Sequence, residues 1–259
     1  MDLVEHAGYI DDGDRHPWEI ARLEVVKGLI ARHVRLTSRA QVLDVGCGDG
    51  FVATALARQF PGINVYGVDT SLTESLILAY RARYAGVDVK LSRTLDEAAA
   101  DLSAPAALIL LTDVLEHIDA DEAFLRGLRA SGVVSHDTRV LATVPAYQSL
   151  FSSHDRFLRH YRRYSKRTLV DTLARAGWSI LESGYFFLTL LPIRWAQLVH
   201  ERLFGAPSSR GLMTRAHGGP VRSFLAQTLL ADARCAIALQ RLGIPVPGLS
   251  VYAICRPSP

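Results

Sequence analysis

The segment Val42-Leu43-Asp44-Val45-Gly46-Cys47-Gly48-Asp49-Gly50 constrains this chain more than any other. An apolar run delivers a carboxylate, three glycines follow at alternate positions, and a helical pattern starts directly afterwards. Glycine lacks a Cβ, so the backbone there can turn sharply and approach a ligand closely. A helix that begins at such a turn offers its first amides to an anionic group. A second apolar run, residues 64–68, ends at Asp69. An acid about twenty residues past the glycines can accept hydrogen bonds from both hydroxyls of a ribose.

The rest of the chain repeats this alternation. Strands are predicted at 41–45, 64–68, 87–91, 107–111, 139–144, 178–187 and 249–255. Helices are predicted at 17–33, 49–59, 70–84 (capped by Thr70 or Ser71), 95–101, 119–131, 165–176, 188–204 and 221–242, with a mobile loop at 205–220. Strand–helix alternation predicts an α/β fold: a Rossmann-like, seven-stranded, mostly parallel sheet with helices on both faces. The last two strands are expected to pair antiparallel. With 49% apolar residues the chain can bury a large core. We expect one domain over 1–259, with an N-terminal helical segment 1–38, a core 39–187, a helical insertion 188–242 and a last strand 249–255. Residues 146–164 and 188–242 are expected to form a helical cover.

Two nucleotide readings compete for the glycine segment. A dinucleotide fingerprint needs glycine or alanine three residues after the second glycine, and that position is Phe51. Asp44 would also repel a pyrophosphate. A carboxylate there suits a cofactor carrying an ammonium group, which S-adenosylmethionine (SAM) has and NAD lacks. The segment resembles motif I, E/D-x-G-x-G-x-G, of the class I SAM-dependent methyltransferases. The resemblance implies that Gly46, Gly48 and Gly50 line the methionine portion, that Asp69 holds the ribose, that Asp44 anchors the ammonium directly or through water, and that Cys47 and Thr70 count among the cofactor-binding residues.

Thr112-Asp113-Val114-Leu115-Glu116-His117-Ile118 is similar to the motif that follows the fourth strand in many small-molecule members of this class. It implies that Asp113 lies near the methionine end of SAM, that Val114 also binds the cofactor, and that His117 faces the substrate cavity. Glu116 itself reads as a helix-start acid that complements the macrodipole. Asp96 is the nearest candidate for the adenine contact, although it also fits a solvated helix position.

After the fifth strand, the run from Val144-Pro145-Ala146-Tyr147 through His154-Asp155 to His160-Tyr161-Arg162-Arg163-Tyr164 resembles a bacterial subgroup of these enzymes. The insertion leaves a strand at its carboxyl end, where open parallel sheets bind ligands. His154 and His160, with His117, are therefore the candidate catalytic bases. Tyr147, Tyr161, Arg162 and Tyr164 are the candidate substrate contacts. The basic set Arg156, Arg159, Arg162, Arg163, Lys166 and Arg167 reads first as a solvated face and second as a clamp for an anionic substrate.

The stretch 185–204 reads first as buried strand and helix or an oligomer interface. Its second reading is a seat for a lipophilic substrate or a peripheral membrane contact, with Trp195, Arg194 and Arg202 at headgroup level. A net charge of +3 argues against a dedicated nucleic-acid binder. Three scattered cysteines show neither a disulfide framework nor a metal spacing, so no metal is expected and a cytoplasmic location is. Residues 1–14 are acidic and lack the apolar core of a secretory leader.

The expectation is a SAM-dependent methyltransferase, monomer or homodimer, that methylates oxygen or nitrogen of a small or lipid-like acceptor and releases S-adenosylhomocysteine. An RNA methyltransferase and a non-catalytic SAM-binding module are the alternatives.

Overall fold

The computed structural model describes residues 15–205 and 219–259; most of the predicted loop 205–220 lies outside them. Helix α1 (Pro17–His33) starts where Pro17 occupies the first turn and His16 and Glu19 form a reciprocal capping box. It leads into β1 (Gln41–Val45), α2 (Phe51–Gln59) and β2 (Asn64–Val68). Helix α3 (Glu74–Arg83) is capped by Thr73, whose side chain accepts from the Leu76 amide. The predicted start at Thr70 or Ser71 is displaced because Asp69 folds those residues into a turn, accepting from the Ser71 amide at 2.8 Å.

β3 (Val89–Ser92), α4 (Leu95–Asp101) and β4 (Leu108–Thr112) follow. A single 3₁₀ turn (Leu115–His117) then precedes α5 (Asp121–Ala130) and β5 (Arg139–Pro145). The insertion contains a 3₁₀ turn (Gln148–Leu150) and the short α6 (Ser153–Phe157). The chain closes with α7 (Lys166–Arg175), β6 (Trp178–Phe186), α8 (Leu190–Phe204), α9 (Gly219–Arg241) and β7 (Ser250–Pro257).

The seven strands form one sheet in the order β3-β2-β1-β4-β5-β7-β6. All neighbours are parallel except β7, which pairs antiparallel with β5 and β6. Both faces are covered, which is why β1, β4 and β5 are near-continuous apolar runs. One core packs α4, α5 and α7 against the sheet through Leu125, Leu128, Leu169, Leu173 and Trp178. The other packs α1, α2 and α9 on the opposite face through Val26, Leu29, Ile30, Leu56 and Leu230. Strand order reverses between β1 and β4, and the crevice outside their carboxyl ends is where such sheets bind ligands.

Candidate active site

Three loops meet at that crevice: the glycine loop after β1, the turn after β4 and the insertion after β5. Gly46, Gly48 and Gly50 all hold positive φ, at 71°, 55° and 74°. A side chain on Gly46 would strike Val114, and one on Gly50 would strike the Tyr80 ring. Part of the glycine requirement therefore comes from close packing within the protein, as well as from ligand approach. Val114 is buried on Gly46, whereas Thr70 is exposed in the turn after β2.

The loop is closed by Asp69, which accepts from the Gly48 amide at 2.9 Å while also holding Ser71. The Gly46 and Cys47 amides donate to the Val68 carbonyl. The Cys47 side chain is buried against Gly67, so it presents only backbone to a ligand. The first helical amide is capped internally, Phe51 donating to Asp49 at 3.4 Å, which corrects the expectation of a fully open α2 N-terminus. Asp96 is exposed on the first turn of α4, where an acid complements the helix end.

Asp44 is fully buried, and neither carboxylate oxygen has a hydrogen-bond partner. Burial pushes its carboxyl up to about 7, opposed by the nearby Ala53 amide and Arg22. A buried carboxylate without partners calls for a cationic, hydrogen-bonding ligand. The ammonium and sulfonium of SAM, with a ribose for Asp69, meet that demand.

Arg15 and Arg22 belong to no motif, yet they prove central to the site. Both are buried at the foot of α1; Arg15 pairs with Asp49 and lies over the Phe51 ring, while Arg22 pairs with Asp113 and lies over Trp18. The signal for Arg22 was a charge among apolar helix positions, buried beside Leu23, Val25 and Val26. Cations at the strand tips suit the carboxylate of the methionine moiety. Asp113 itself holds φ 55° just beyond β4 and accepts from Thr143 at 3.1 Å. Aspartate tolerates this left-handed backbone better than most residues, and such strain clusters at sites of function.

Beyond Asp113 opens a cavity of about 250 Å³. His117, His154 and His160 all line it, with Glu116, Arg163 and Arg194 at its polar end. Trp18, Phe187, Leu190, Ile193, Leu229 and Leu249 form its apolar wall. Burial beside Arg194 pushes His154 down, which favours the neutral imidazole. His117 and His160 meet edge to face, ring centroids 4.6 Å apart.

Glu116, expected to be a helix-start acid, is only 1% exposed, and its Oε2 has no hydrogen-bond partner. The turn it sits on is one residue triplet long and folds inward beneath the insertion, pinned where the Tyr161 amide donates to the Glu116 carbonyl at 2.8 Å.

Asp155 is the hub of the insertion. It accepts from Ser152 (amide 2.9 Å, hydroxyl 3.1 Å) and from Arg163 Nε at 2.7 Å, and it bonds His160 Nδ1 at 3.0 Å. These partners hold its carboxyl well below the usual range despite burial.

None of the four expected substrate contacts lines the cavity. Tyr164 is 2% exposed, and its hydroxyl is committed to Asp121 at 2.6 Å and to the Leu115 carbonyl. Arg162 reaches Asp119 and Asp121 instead of the cavity. Tyr147 stacks on Tyr185 at 5.3 Å, and Tyr161 is turned to solvent. Arg194, placed at headgroup level only by the second reading of 185–204, is turned inward to Ser152 and Asp155. In this block, Tyr147, Arg162 and Tyr164 meet partners within the fold.

The parallel order, the crevice and the glycine loop together define the class I SAM-dependent methyltransferase fold. Residues 18–183 match the family described as a methyltransferase domain, and the chain belongs to it. Among curated relatives, the ubiquinone biosynthesis O-methyltransferase of Rickettsia felis is 31% identical over 132 residues, covering 49% of this chain and 52% of that one. That of Rickettsia canadensis is 30% identical over 132 residues, covering 49% and 54%. The chain thus spans about half the length of the curated relatives it matches. The solved structure of the [4+2]-cyclase SpnF superposes with a TM-score of 0.56 at 20% identity, covering 96% of this chain and 85% of that one. At such identity the likeness concerns the fold. Among the described residues, no helix is long and apolar enough to cross a membrane.

Proposed function

We propose that this chain transfers the methyl group of SAM to a hydroxyl oxygen of a small, lipid-like acceptor. The observation that carries this reading is the cavity beyond Asp113, which combines three histidines with a long apolar wall. Bound SAM supplies an activated methyl on its sulfonium, and in-line displacement requires chiefly alignment from the protein. Asp44, Asp69 and Arg22 would hold the cofactor. His154, kept neutral by burial, is suited to take the proton of a hydroxyl. An amine acceptor would place less demand on such a base, and the relatives named for O-methylation favour oxygen.

The apolar wall supports a lipophilic acceptor. Ile193 lines the cavity and is 54% exposed, so the cavity mouth lies at the outer face of α8. Trp195, Leu203 and Phe204 on α8 and Phe224 on α9 are exposed as well, which is consistent with peripheral membrane contact.

Two measurements test the reading. SAM and S-adenosylhomocysteine, but not NAD, should raise the melting temperature, and Asp69→Ala should remove the shift. Homocysteine-product release should then be driven by phenols carrying an alkyl tail more strongly than by the same phenols without one. Turnover confined to amines, or salt-sensitive turnover on RNA, would refute the assignment.

A further inference from the structure

The polar end of the cavity holds more than the base that methyl transfer needs. One ligand atom each from Glu116, His117 and His160 lies within 4.8 Å of the others. These residues are 44 positions apart at the widest, from Glu116 to His160, and come from the turn after β4 and the insertion after β5. We propose that they form a binding site for a divalent transition-metal ion that coordinates the acceptor hydroxyl. This rests on the O-methylation reading above for its role, although not for the binding itself.

Three observations support it. The donor set is two imidazoles and one carboxylate, with the cavity side open. That is the arrangement of catalytic zinc sites and of facial iron triads, which leave positions for water or substrate. Glu116 Oε2 is buried and lacks a hydrogen-bond partner, as a ligand oxygen would in the absence of its ion. The third observation is the support behind His160. Its Nδ1 is bonded to Asp155, which fixes the ring and leaves Nε2 as the available donor. Metal-bound histidines are held by carboxylates in this way.

The surrounding cations do not preclude an ion. Arg22 pairs with Asp113 and Arg163 with Asp155, and Glu116 itself lines the cavity. Nitrogen donors favour Mn²⁺, Fe²⁺, Co²⁺ or Zn²⁺ over Mg²⁺, which prefers oxygen ligands and its own waters.

Coordination to such an ion lowers the proton affinity of a hydroxyl. The acceptor O–H would release its proton to His154 or water, and the oxygen would then form the O–CH₃ bond. The S–CH₃ bond breaks at the same time, and its electron pair stays on sulfur as the thioether of S-adenosylhomocysteine. The ion keeps its charge throughout.

The test uses the full chain, stripped with chelator and titrated with Co²⁺ in the presence of S-adenosylhomocysteine. One equivalent should bind with visible absorption bands of nitrogen-ligated cobalt. Glu116→Gln and His160→Ala should abolish the bands while keeping the melting-temperature response to S-adenosylhomocysteine, which shows that they are folded. Asp155→Asn, a positioning change, should weaken Co²⁺ about 10- to 100-fold. Absence of stoichiometric cobalt in protein that responds to S-adenosylhomocysteine would overturn the proposal, as would cobalt spectra unchanged in both ligand variants. A wild type that ignores S-adenosylhomocysteine would instead overturn the cofactor reading, whatever cobalt does.

Discussion

Replacing Asp44 by asparagine tests whether this carboxylate is kept for a ligand at a cost in stability. Burial without hydrogen-bond partners moves its carboxyl from 3.8 to about 7. An acid whose folded pKa is raised carries no penalty well below its unfolded value. The penalty accumulates as pH rises through that value and is complete above the folded one. At about 1.4 kcal/mol per pH unit, that rise gives roughly 4 kcal/mol near pH 8 but only about 2 kcal/mol near pH 5. Asparagine carries no charge, so any cost of its unsatisfied amide, about 1–3 kcal/mol, does not change with pH.

Without ligand, the stability of Asp44→Asn relative to wild type should therefore improve by about 2–3 kcal/mol between about pH 5 and about pH 8. In a chain of this size that corresponds to a relative shift of roughly 5–10 °C in Tm. Urea or thermal unfolding at the two pH values measures it. S-adenosylhomocysteine should then stabilise wild type far more than the variant. A stability difference that is flat with pH would refute the burial argument, and an undiminished ligand response would refute the ammonium contact.

Gly50→Ala combines a disfavoured φ of 74° with displacement of the Tyr80 ring, which is bonded to Thr54 at 2.6 Å; denaturant unfolding should show a loss of about 2–3 kcal/mol. Tyr164→Phe removes the buried bond to Asp121 and should cost about 1–3 kcal/mol. It should leave KM for the acceptor unchanged, because the ring does not line the cavity; a raised KM with intact stability would restore it to the substrate site. Trp195→Ser with Phe204→Ser should reduce sedimentation with anionic phosphatidylglycerol vesicles while Tm stays within a few degrees, since both side chains are exposed.

Much of this protein was determined by local sequence. Alternating apolar runs and helical periods set the strands, because a sheet buried on both faces admits only near-continuous apolar strands. The glycine triplet, Asp44 and Asp69 were legible because each is required by backbone conformation or charge at a fixed distance along the chain. Helix α1 came out at residues 17–33 because proline and a capping box punctuate its start.

What residues do after β5 was decided by tertiary structure. Tyr164, Arg162 and Tyr147 carry chemistry that reads as substrate contact, yet each meets a partner inside the fold that no local pattern announces. Arg194 turned inward for the same reason: Asp155, 39 positions earlier, lies within its reach at 3.6 Å. Conversely, Glu116 and Arg22 looked like ordinary helix residues until packing buried them beside the cavity and the strand tips. Local sequence fixes backbone conformation over a few residues, whereas burial and pairing depend on segments that only the closed sheet brings together.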